Sequence, residues 1–169
     1  MNSNLINLIK TLKTLNKTPD IIYGALEDSQ KEHVEIPQDK EIYVSCEDRR
    51  LYVWQNVPNE IIDFVKNTMG GTGPSGNWIY EAGGYQGWHT NGNVLGQRLY
   101  VSWAEKEAQS GMKFYIDQQI IDSPDYAGWN IRLFTPPVWH SVYSNCKRLS
   151  VGFIFKQPVD IDYLLPIKV

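Results

Sequence analysis

From residue 77 to residue 156, short runs of strand-forming residues alternate with clusters of Gly, Pro, Asn and Asp, and no helical pattern intervenes. Parallel strands would need long crossover connections, so this arrangement predicts an antiparallel sandwich or barrel. Two of the runs alternate apolar and polar positions, which predicts one buried face and one face towards a cavity or water. The runs are NWIYEA, RLYVSWA, MKFYID, WNIRLFT, SVYS and RLSVGFIF.

Residues 1–76 predict helices and strands that support this β region. SNLINLIKTLKTLNK has leucines and isoleucine at helical spacing, with Ser3 as a candidate N-cap and lysines on the other face, so the helix should pack on a sheet. EIYVSC and RLYVWQNVP predict strands, and PNEIIDFVKNTM predicts a helix. Residues 157–169 are a C-terminal extension. No linker interrupts the chain, so we expect a single domain over 1–169, mainly β with supporting helices.

The amino-acid composition limits the kinds of partner that the protein is expected to bind. The net charge of −3 lacks the basic excess of a strong nucleic-acid binder. No segment approaches the run of about 20 apolar residues that crosses a membrane. The two cysteines, Cys46 and Cys146, are too few for a disulfide scaffold and favour reduced thiols. We therefore expect a soluble, cytoplasmic protein without a membrane partner, and the oligomeric state stays open.

One glycine motif matches a nucleotide-binding pattern in its letters only. Gly71, Gly73 and Gly76 in GGTGPSG follow the spacing G-x-G-x-x-G. The pattern requires a strand before it and a helix after it, whereas here a predicted helix precedes and a predicted strand follows, and Pro74 interrupts. The sequence predicts a flexible loop at this position, without a role in binding phosphate.

Two of the three histidines stand out. His33 lies in a polar segment, but His89 and His140 each directly follow a tryptophan at the end of a strand-like run. In GGYQGWHTNGN, His89 and Asn91 are two positions apart, so on a strand they would share one face. Arg98 and Arg132 also lie in predicted strands, and we expect both on a solvated face.

The last predicted hairpin would extend this group of side chains. Arg148 follows the turn SNCK, and Ser150 is its neighbour on the same face of the strand. A hairpin through that turn is expected to bring His140 and Arg148 into one cavity.

These residues resemble the double-stranded β-helix (jelly-roll) oxygenases that depend on Fe(II) and 2-oxoglutarate. That family has a His-x-Asp/Glu motif, a second histidine some tens of residues later and an arginine near the start of the last core strand. Here the matching positions are His89-Thr90-Asn91, His140 and Arg148-Leu149-Ser150. GNVLGQRLYVSWA, which contains Tyr100, and GWNIRLFTPPVWHSV resemble flanking segments of the family. The resemblance covers residues 77–156.

The resemblance implies a dioxygenase, most simply a hydroxylase, that uses Fe(II), 2-oxoglutarate and O₂. His89, His140 and Asn91 would hold the metal, because two neutral imidazoles and a third oxygen ligand suit Fe(II). Arg148 would pair with the far carboxylate of 2-oxoglutarate, with Ser150 and Tyr100 as further hydrogen-bonding groups. The substrate would be a small polar molecule or a peptide-like segment, met by loops at 68–77, 83–97 and 118–129.

Asn91 stands where the family has a carboxylate, and three interpretations remain open. Asn91 ligates weakly through its amide oxygen, Glu81 or Asp117 supplies the missing carboxylate, or the third position is left to water or an anion. Two alternatives to the enzyme also remain: a non-catalytic, cupin-like binding or scaffold module with a degenerate metal site, and a site for Zn²⁺ or Ni²⁺. An intact pair of Arg148 and Ser150 would favour the enzyme.

Overall fold

The structure, a computed structural model, describes residues 1–27, 48–92 and 94–169. The predicted strand EIYVSC lies outside the described residues, as do His33 and Cys46.

Ten antiparallel strands form one sheet within the described ranges, and each of the six predicted runs between residues 77 and 156 forms a strand. The protein is therefore mainly β, as predicted. The strands are β1 (Tyr23–Leu26), β2 (Asp48–Trp54), β3 (Asn77–His89), β4 (Gln97–Ala104), β5 (Ser110–Ile116), β6 (Gln119–Pro124), β7 (Gly128–Phe134), β8 (Trp139–Ser144), β9 (Arg148–Phe155) and β10 (Tyr163–Lys168).

The sheet curls into a nearly closed barrel. Its order is β10-β7-β4-β9-β3-β8-β5-β6, and β2 pairs with β3 outside this path, with β1 beyond it. The two ends of the path approach each other, because the Ser123 hydroxyl on β6 donates a hydrogen bond of 2.5 Å to the Leu164 carbonyl on β10.

Strand β3 connects the two sides of the barrel. Its first part, residues 77–80, pairs with β9, whereas its second part, residues 84–89, pairs with β8. Gly83 lies between them with a φ of 83°, a left-handed conformation that favours glycine. The chain therefore turns from one side of the barrel to the other inside a single long strand.

Two helices cover the outside of the barrel. Helix α1 (Ser3–Thr14) buries three leucines, and helix α2 (Asn59–Phe64) continues into a π-helical turn, Val65–Met69. Asn2, rather than the predicted Ser3, caps α1, because its side-chain oxygen accepts a hydrogen bond of 2.7 Å from the Asn4 amide. The helices pack on the outward apolar side chains of the sheet: Ile79, Leu99, Val101, Ile131, Leu133, Leu149, Val151 and Phe153.

The inside of the barrel is filled by aromatic and aliphatic side chains from both of its sides: Leu51, Tyr80, Met112, Phe114, Phe134 and Val142. Because side chains alternate along a strand, β4, β7 and β9 contribute their other residues to the contact with the helices. The predicted alternation is thus present: one face of these strands packs against the helices and the other face lines the interior of the barrel.

The structure corrects the predicted hairpin through SNCK. Strand β8 pairs with β3 and β5, whereas β9 pairs with β3 and β4, so β8 and β9 are not hydrogen-bonded to each other. The turn binds the connection between β4 and β5: the Asn145 amide donates to the Gln109 carbonyl at 2.7 Å, and the Glu105 amide donates to the Lys147 carbonyl at 3.0 Å. These bonds lead the chain across to the other side of the barrel.

Two of the three predicted loops are partly strands. Residues 84–89 belong to β3 and residues 119–124 form β6. The C-terminal extension likewise supplies β10. Residues 70–76 are irregular, as predicted for GGTGPSG. No helix in the described part of the chain is long and apolar enough to cross a bilayer.

Removing one leucine from the contact between α1 and the sheet should weaken the fold. Leu8 is fully buried, so we expect Leu8→Ala to lower the free energy of unfolding by about 2–5 kcal/mol. Ile6 on the same helix is 41% exposed, so Ile6→Ala should change it by less than about 0.5 kcal/mol. Denaturant unfolding measures both, and equal effects would contradict this packing.

Candidate metal and anion site

His89 and His140 lie side by side at the ends of β3 and β8. The two residues are paired across the strands, and their ring centroids are 4.2 Å apart at an interplanar angle of 57°. His140 is buried, with 1% of its surface exposed, and its ring also contacts Phe134 at 4.8 Å. The structure therefore brings together the two histidines that the sequence singled out.

A β-bulge decides which residue of β3 faces inwards here. Gln86 pairs with Val142 and His89 pairs with His140, so two residues of β3, Gly87 and Trp88, lie opposite one residue of β8, Ser141. In a regular pairing Trp88 would occupy the inward position, since side chains alternate strictly along a strand. The extra residue places His89 inside and leaves Trp88 in a separate cluster with Tyr115 and Trp139.

Both rings are held in the tautomer that metal ligands use. The Nδ1 atom of His89 is 2.6 Å from the Gly87 carbonyl, and the Nδ1 atom of His140 is 2.8 Å from the Val138 carbonyl. A carbonyl only accepts, so each Nδ1 carries the proton and each Nε2 has the lone pair. Histidines that bind metals commonly donate their other N–H to a backbone carbonyl in this way.

Asn91 completes the group. Its Nδ2 is 3.3 Å from the Nε2 of His140 and 3.5 Å from the hydroxyl of Tyr100. The residue has a φ of 54°, a left-handed conformation in which asparagine is enriched. A half-turn of the amide about its last torsion would exchange Nδ2 for Oδ1 and present an oxygen at the same place.

Glu81 and Asp117 do not join the histidines. Glu81 accepts a hydrogen bond from the Tyr23 hydroxyl and lies 3.7 Å from the Lys147 amine, and Asp117 is exposed in the tight turn between β5 and β6. Within the described ranges, no three His, Cys, Asp or Glu side chains form a group that could hold a metal. Among the described residues, the nearest protein groups to a metal at this site would therefore be two imidazoles and an amide.

A cavity of about 240 Å³ opens beside the histidines. Tyr100 lines it, and burial raises the pKa of Tyr100, so its hydroxyl stays protonated and can donate. The sequence did not single out Trp78 or Gln86, which also line it. The remaining lining residues are Ser75, Gly76, His89, Asn91, Val94, Arg98 and Ile154.

Arg98 is buried, which contradicts the expected solvated face. Its guanidinium donates to three backbone carbonyls, those of Gly96 at 2.7 Å, Asn91 at 3.1 Å and Val94 at 2.6 Å. These bonds tie the segment that carries Asn91 to strand β4. Arg98 thereby fixes one wall of the cavity, although its pattern in the sequence is that of an ordinary strand arginine.

Arg148 also points into the barrel, but it does not line the cavity. Its Nε donates to Asp125 at 2.8 Å, and its guanidinium lies 5.2 Å from the centre of the Tyr80 ring. Tyr80 in turn donates to Gln86, which does line the cavity, at 3.1 Å. The Nη1 and Nη2 atoms of Arg148 are buried and have no hydrogen-bond partner within the described part of the chain.

Asp125 and Arg132 form the rest of this buried cluster, and sequence reasoning missed their role. Arg132, expected on a solvated face, is 1% exposed and donates to Asp125 at 2.5 Å. Burial alone would raise the pKa of Asp125, but the charges of Arg148 and Arg132 outweigh burial and hold that pKa well below its usual range. Asp125 follows β6, a strand that the sequence did not predict, so nothing linked it to Arg148 in advance.

Ser150 is buried on the face of β9 that carries Arg148. It lies in register with Trp78 on β3 and with Ser102 on β4. Within the described ranges, the Ser102 hydroxyl is a further buried group without a hydrogen-bond partner. Besides Arg148, the barrel interior therefore holds one hydroxyl that can still accept or donate a hydrogen bond.

Neither a comparison with models of known protein families nor one with individual characterised proteins found a match to this sequence. The interpretation of the site therefore depends on its own geometry.

The burial of His140 should appear in the pH dependence of folding. Burial, and next the neighbouring His89, lower the pKa of His140 from 6.5 to about 3. The unfolded chain thus gains a proton below pH 6.5 that the folded protein does not. The free energy of unfolding is therefore not reduced by this group above pH 6.5. As the pH falls from 6.5 towards 3, it decreases by up to about 1.4 kcal/mol per pH unit.

Denaturant unfolding of the metal-free protein between pH 7 and pH 4 measures this loss. His140→Gln replaces the imidazole by a neutral amide that does not titrate, so its unfolding free energy should decline less steeply over the same range. An identical decline in both proteins would show that His140 is not the group responsible.

Proposed function

We propose that the protein is a small Fe(II)- and 2-oxoglutarate-dependent dioxygenase, a hydroxylase of a small polar molecule or of a protein side chain. The observation that carries the proposal is the pair of adjacent imidazoles with protonated Nδ1 atoms, beside a cavity large enough to admit small molecules. The overall reaction converts R–H, O₂ and 2-oxoglutarate to R–OH, succinate and CO₂.

The order of the strands supports a double-stranded β-helix. If the two parts of β3 are counted separately, four strands follow the order β7-β4-β9-β3 on one side of the barrel, and four follow β3-β8-β5-β6 on the other. Eight antiparallel strands in two sheets of four are typical of a jelly roll. In this arrangement, both histidines lie on the second side and Arg148 lies on the first.

His89, His140 and Asn91 would hold the metal. His140 is neutral at physiological pH, so its Nε2 carries a lone pair that would bind a metal once the Asn91 amide, whose Nδ2 now lies 3.3 Å from it, turns. Asn91 would contribute Oδ1 after the half-turn of its amide. Bound Fe(II) would supply the activation of O₂ that hydroxylation of an unreactive C–H bond requires.

The polar groups on the other side of the barrel fit an anionic co-substrate. Two N–H groups at the tip of one guanidinium match the two oxygens of a carboxylate, and on Arg148 those groups have no partner among the residues that the structure describes. Tyr100 offers a hydroxyl between the cavity and the interior. Ser150 lies beside Arg148 on the same face of β9. Since Arg148 lies behind the cavity wall, the side chains of Tyr80 and Gln86 would have to shift as the co-substrate enters.

A second function is favoured by the absence of a carboxylate at position 91. A non-catalytic, cupin-like binding module would need no strong metal site, and the pairing of Arg148 with Asp125 would then serve the fold alone. This alternative predicts that neither Fe(II) nor 2-oxoglutarate binds at millimolar concentration. Binding of Zn²⁺ or Ni²⁺ in place of Fe(II) would indicate a different metalloprotein on the same imidazoles.

Turnover provides the direct test. With Fe(II), O₂ and a reductant such as ascorbate, which replaces the unknown substrate in reducing the second oxygen atom, the protein should convert 2-oxoglutarate to succinate and CO₂, and chromatography measures the succinate. His140→Ala and Arg148→Ala should each lower the rate by about a hundredfold or more, since they remove a metal ligand and the carboxylate anchor. Asp117→Asn, on an exposed turn, is the control and should retain the wild-type rate. Absence of succinate with wild-type protein would favour the binding module.

Metal affinity tests the role of Asn91. Asn91→Asp adds a negative charge beside the imidazoles, so we expect it to bind Fe(II) about tenfold or more tightly than the wild-type protein does. Asn91→Ala removes the amide oxygen and should bind the metal more weakly. Competition with a coloured chelator measures both. Equal affinities for the wild-type protein and Asn91→Ala would place Asn91 outside the coordination sphere.

A further inference from the structure

The barrel interior holds one carboxylate between two guanidinium groups. Arg132 Nη1 donates to one oxygen of Asp125 at 2.5 Å, and Arg148 Nε donates to the other at 2.8 Å. All three side chains are at most 1% exposed. The Ser110 hydroxyl also donates to Asp125, at 2.7 Å.

This cluster carries one net positive charge. It contains two guanidinium groups and one carboxylate, and Asp125 is the only acidic side chain paired with either arginine in the described part of the chain. An uncompensated buried charge is costly, because the interior solvates it poorly. The cluster is therefore one anion short of neutrality.

The two arginines differ in how well their hydrogen bonds are satisfied. Arg132 also donates from Nε to the Ser123 hydroxyl at 2.9 Å and from Nη2 to the Ser123 carbonyl at 2.6 Å. Among residues 1–27, 48–92 and 94–169, Asp125 is the only hydrogen-bond partner of Arg148, so its two Nη atoms are left over. Unsatisfied buried donors are rare in folded proteins and call for an explanation.

We propose that Asp125 and Arg132 are positioning residues for Arg148: Asp125 holds Arg148 by its Nε edge so that both Nη atoms face one incoming carboxylate, and Arg132 offsets the charge of Asp125 so that the site stays cationic. Tyr80 supports the orientation through the face of its ring. The inference rests on the proposed function in one respect, namely that Arg148 anchors the carboxylate of the co-substrate.

Asp125 and Arg132 have separate roles in this cluster. Without Arg132, Asp125 would neutralise Arg148 and remove the attraction for an anion. Without Asp125, Arg148 would have no hydrogen-bond partner to fix its plane, and the two guanidiniums would repel each other. The site accepts a single carboxylate because one negative charge neutralises the cluster.

Glutarate binding to the metal-free, full-length protein tests the inference. Glutarate is a five-carbon dicarboxylate without the 2-oxo group, so it reports on the anion site and not on the metal. Calorimetry should show binding to the wild-type protein. Arg132→Met should weaken it by about tenfold or more, because the cluster becomes neutral. Arg132→Lys restores the charge and should stay within about threefold of wild type.

The same change at Arg148, from arginine to lysine, distinguishes the effect of guanidinium geometry from the effect of positive charge. Arg148→Lys keeps the positive charge but cannot bind Asp125 while presenting two parallel N–H groups to a carboxylate. It should therefore lose glutarate affinity by about tenfold or more, unlike Arg132→Lys. A purely structural role for the cluster would leave the affinity of every folded variant unchanged. Wild-type affinity in Arg132→Met or in Arg148→Lys, or no binding to the wild-type protein, overturns the inference.

The same proteins separate this inference from the proposed function. If glutarate binding follows the expected order but Fe(II) and 2-oxoglutarate give no succinate, the anion site stands and the dioxygenase does not. If succinate forms and Arg132→Met binds glutarate as the wild-type protein does, the dioxygenase stands and the positioning role falls. Should Arg132→Met fail to fold, the glutarate affinities of Arg132→Lys and Arg148→Lys still test the positioning role. The melting temperature of the wild-type protein then tests the anion site, because glutarate should raise this temperature whereas glutaramide, the uncharged diamide, should not.

Discussion

The site depends on how strand β3 changes partners along its length. Its first part pairs with β9 and its second part with β8, with Gly83 in a left-handed conformation between them. The bulge before His89 then shifts the inward position by one residue. Without the bend the histidines and Arg148 would lie on one continuous surface, and without the bulge Trp88 would face the interior in place of His89.

The general architecture was predictable because it depends on periodicity. Alternating runs such as RLYVSWA specify a strand with two different faces, and the leucines of α1 specify a helix with one buried stripe. Pairing was less predictable, since a short turn such as SNCK usually closes a hairpin. Here the hydrogen bonds of Asn145 and Lys147 to the β4–β5 connection outweigh that local preference, and no spacing within the turn indicates this.

The candidate site was predictable to the extent that its residues have distinctive chemistry. His89, Asn91 and His140 stand out as types, and the structure brings them together. Asp125, Arg98 and Arg132 are of residue types that usually lie on the surface. Their burial depends on contacts between segments that are far apart in the chain. A strand arginine that will be paired inside a barrel has the same local pattern as one that faces water.

The two halves of the site are linked by charge. The buried histidine is neutral and Asn91 is neutral, so on the proposed function Fe(II) would bring two positive charges into an interior that already holds the one net charge of the arginine cluster and the buried guanidinium of Arg98. A dianionic co-substrate offsets two of these four. Metal and co-substrate should therefore each strengthen the binding of the other, more so than in a site where an aspartate already lowers the charge on the metal. The asparagine at position 91 would thus make the metal site depend on the occupant of the anion site.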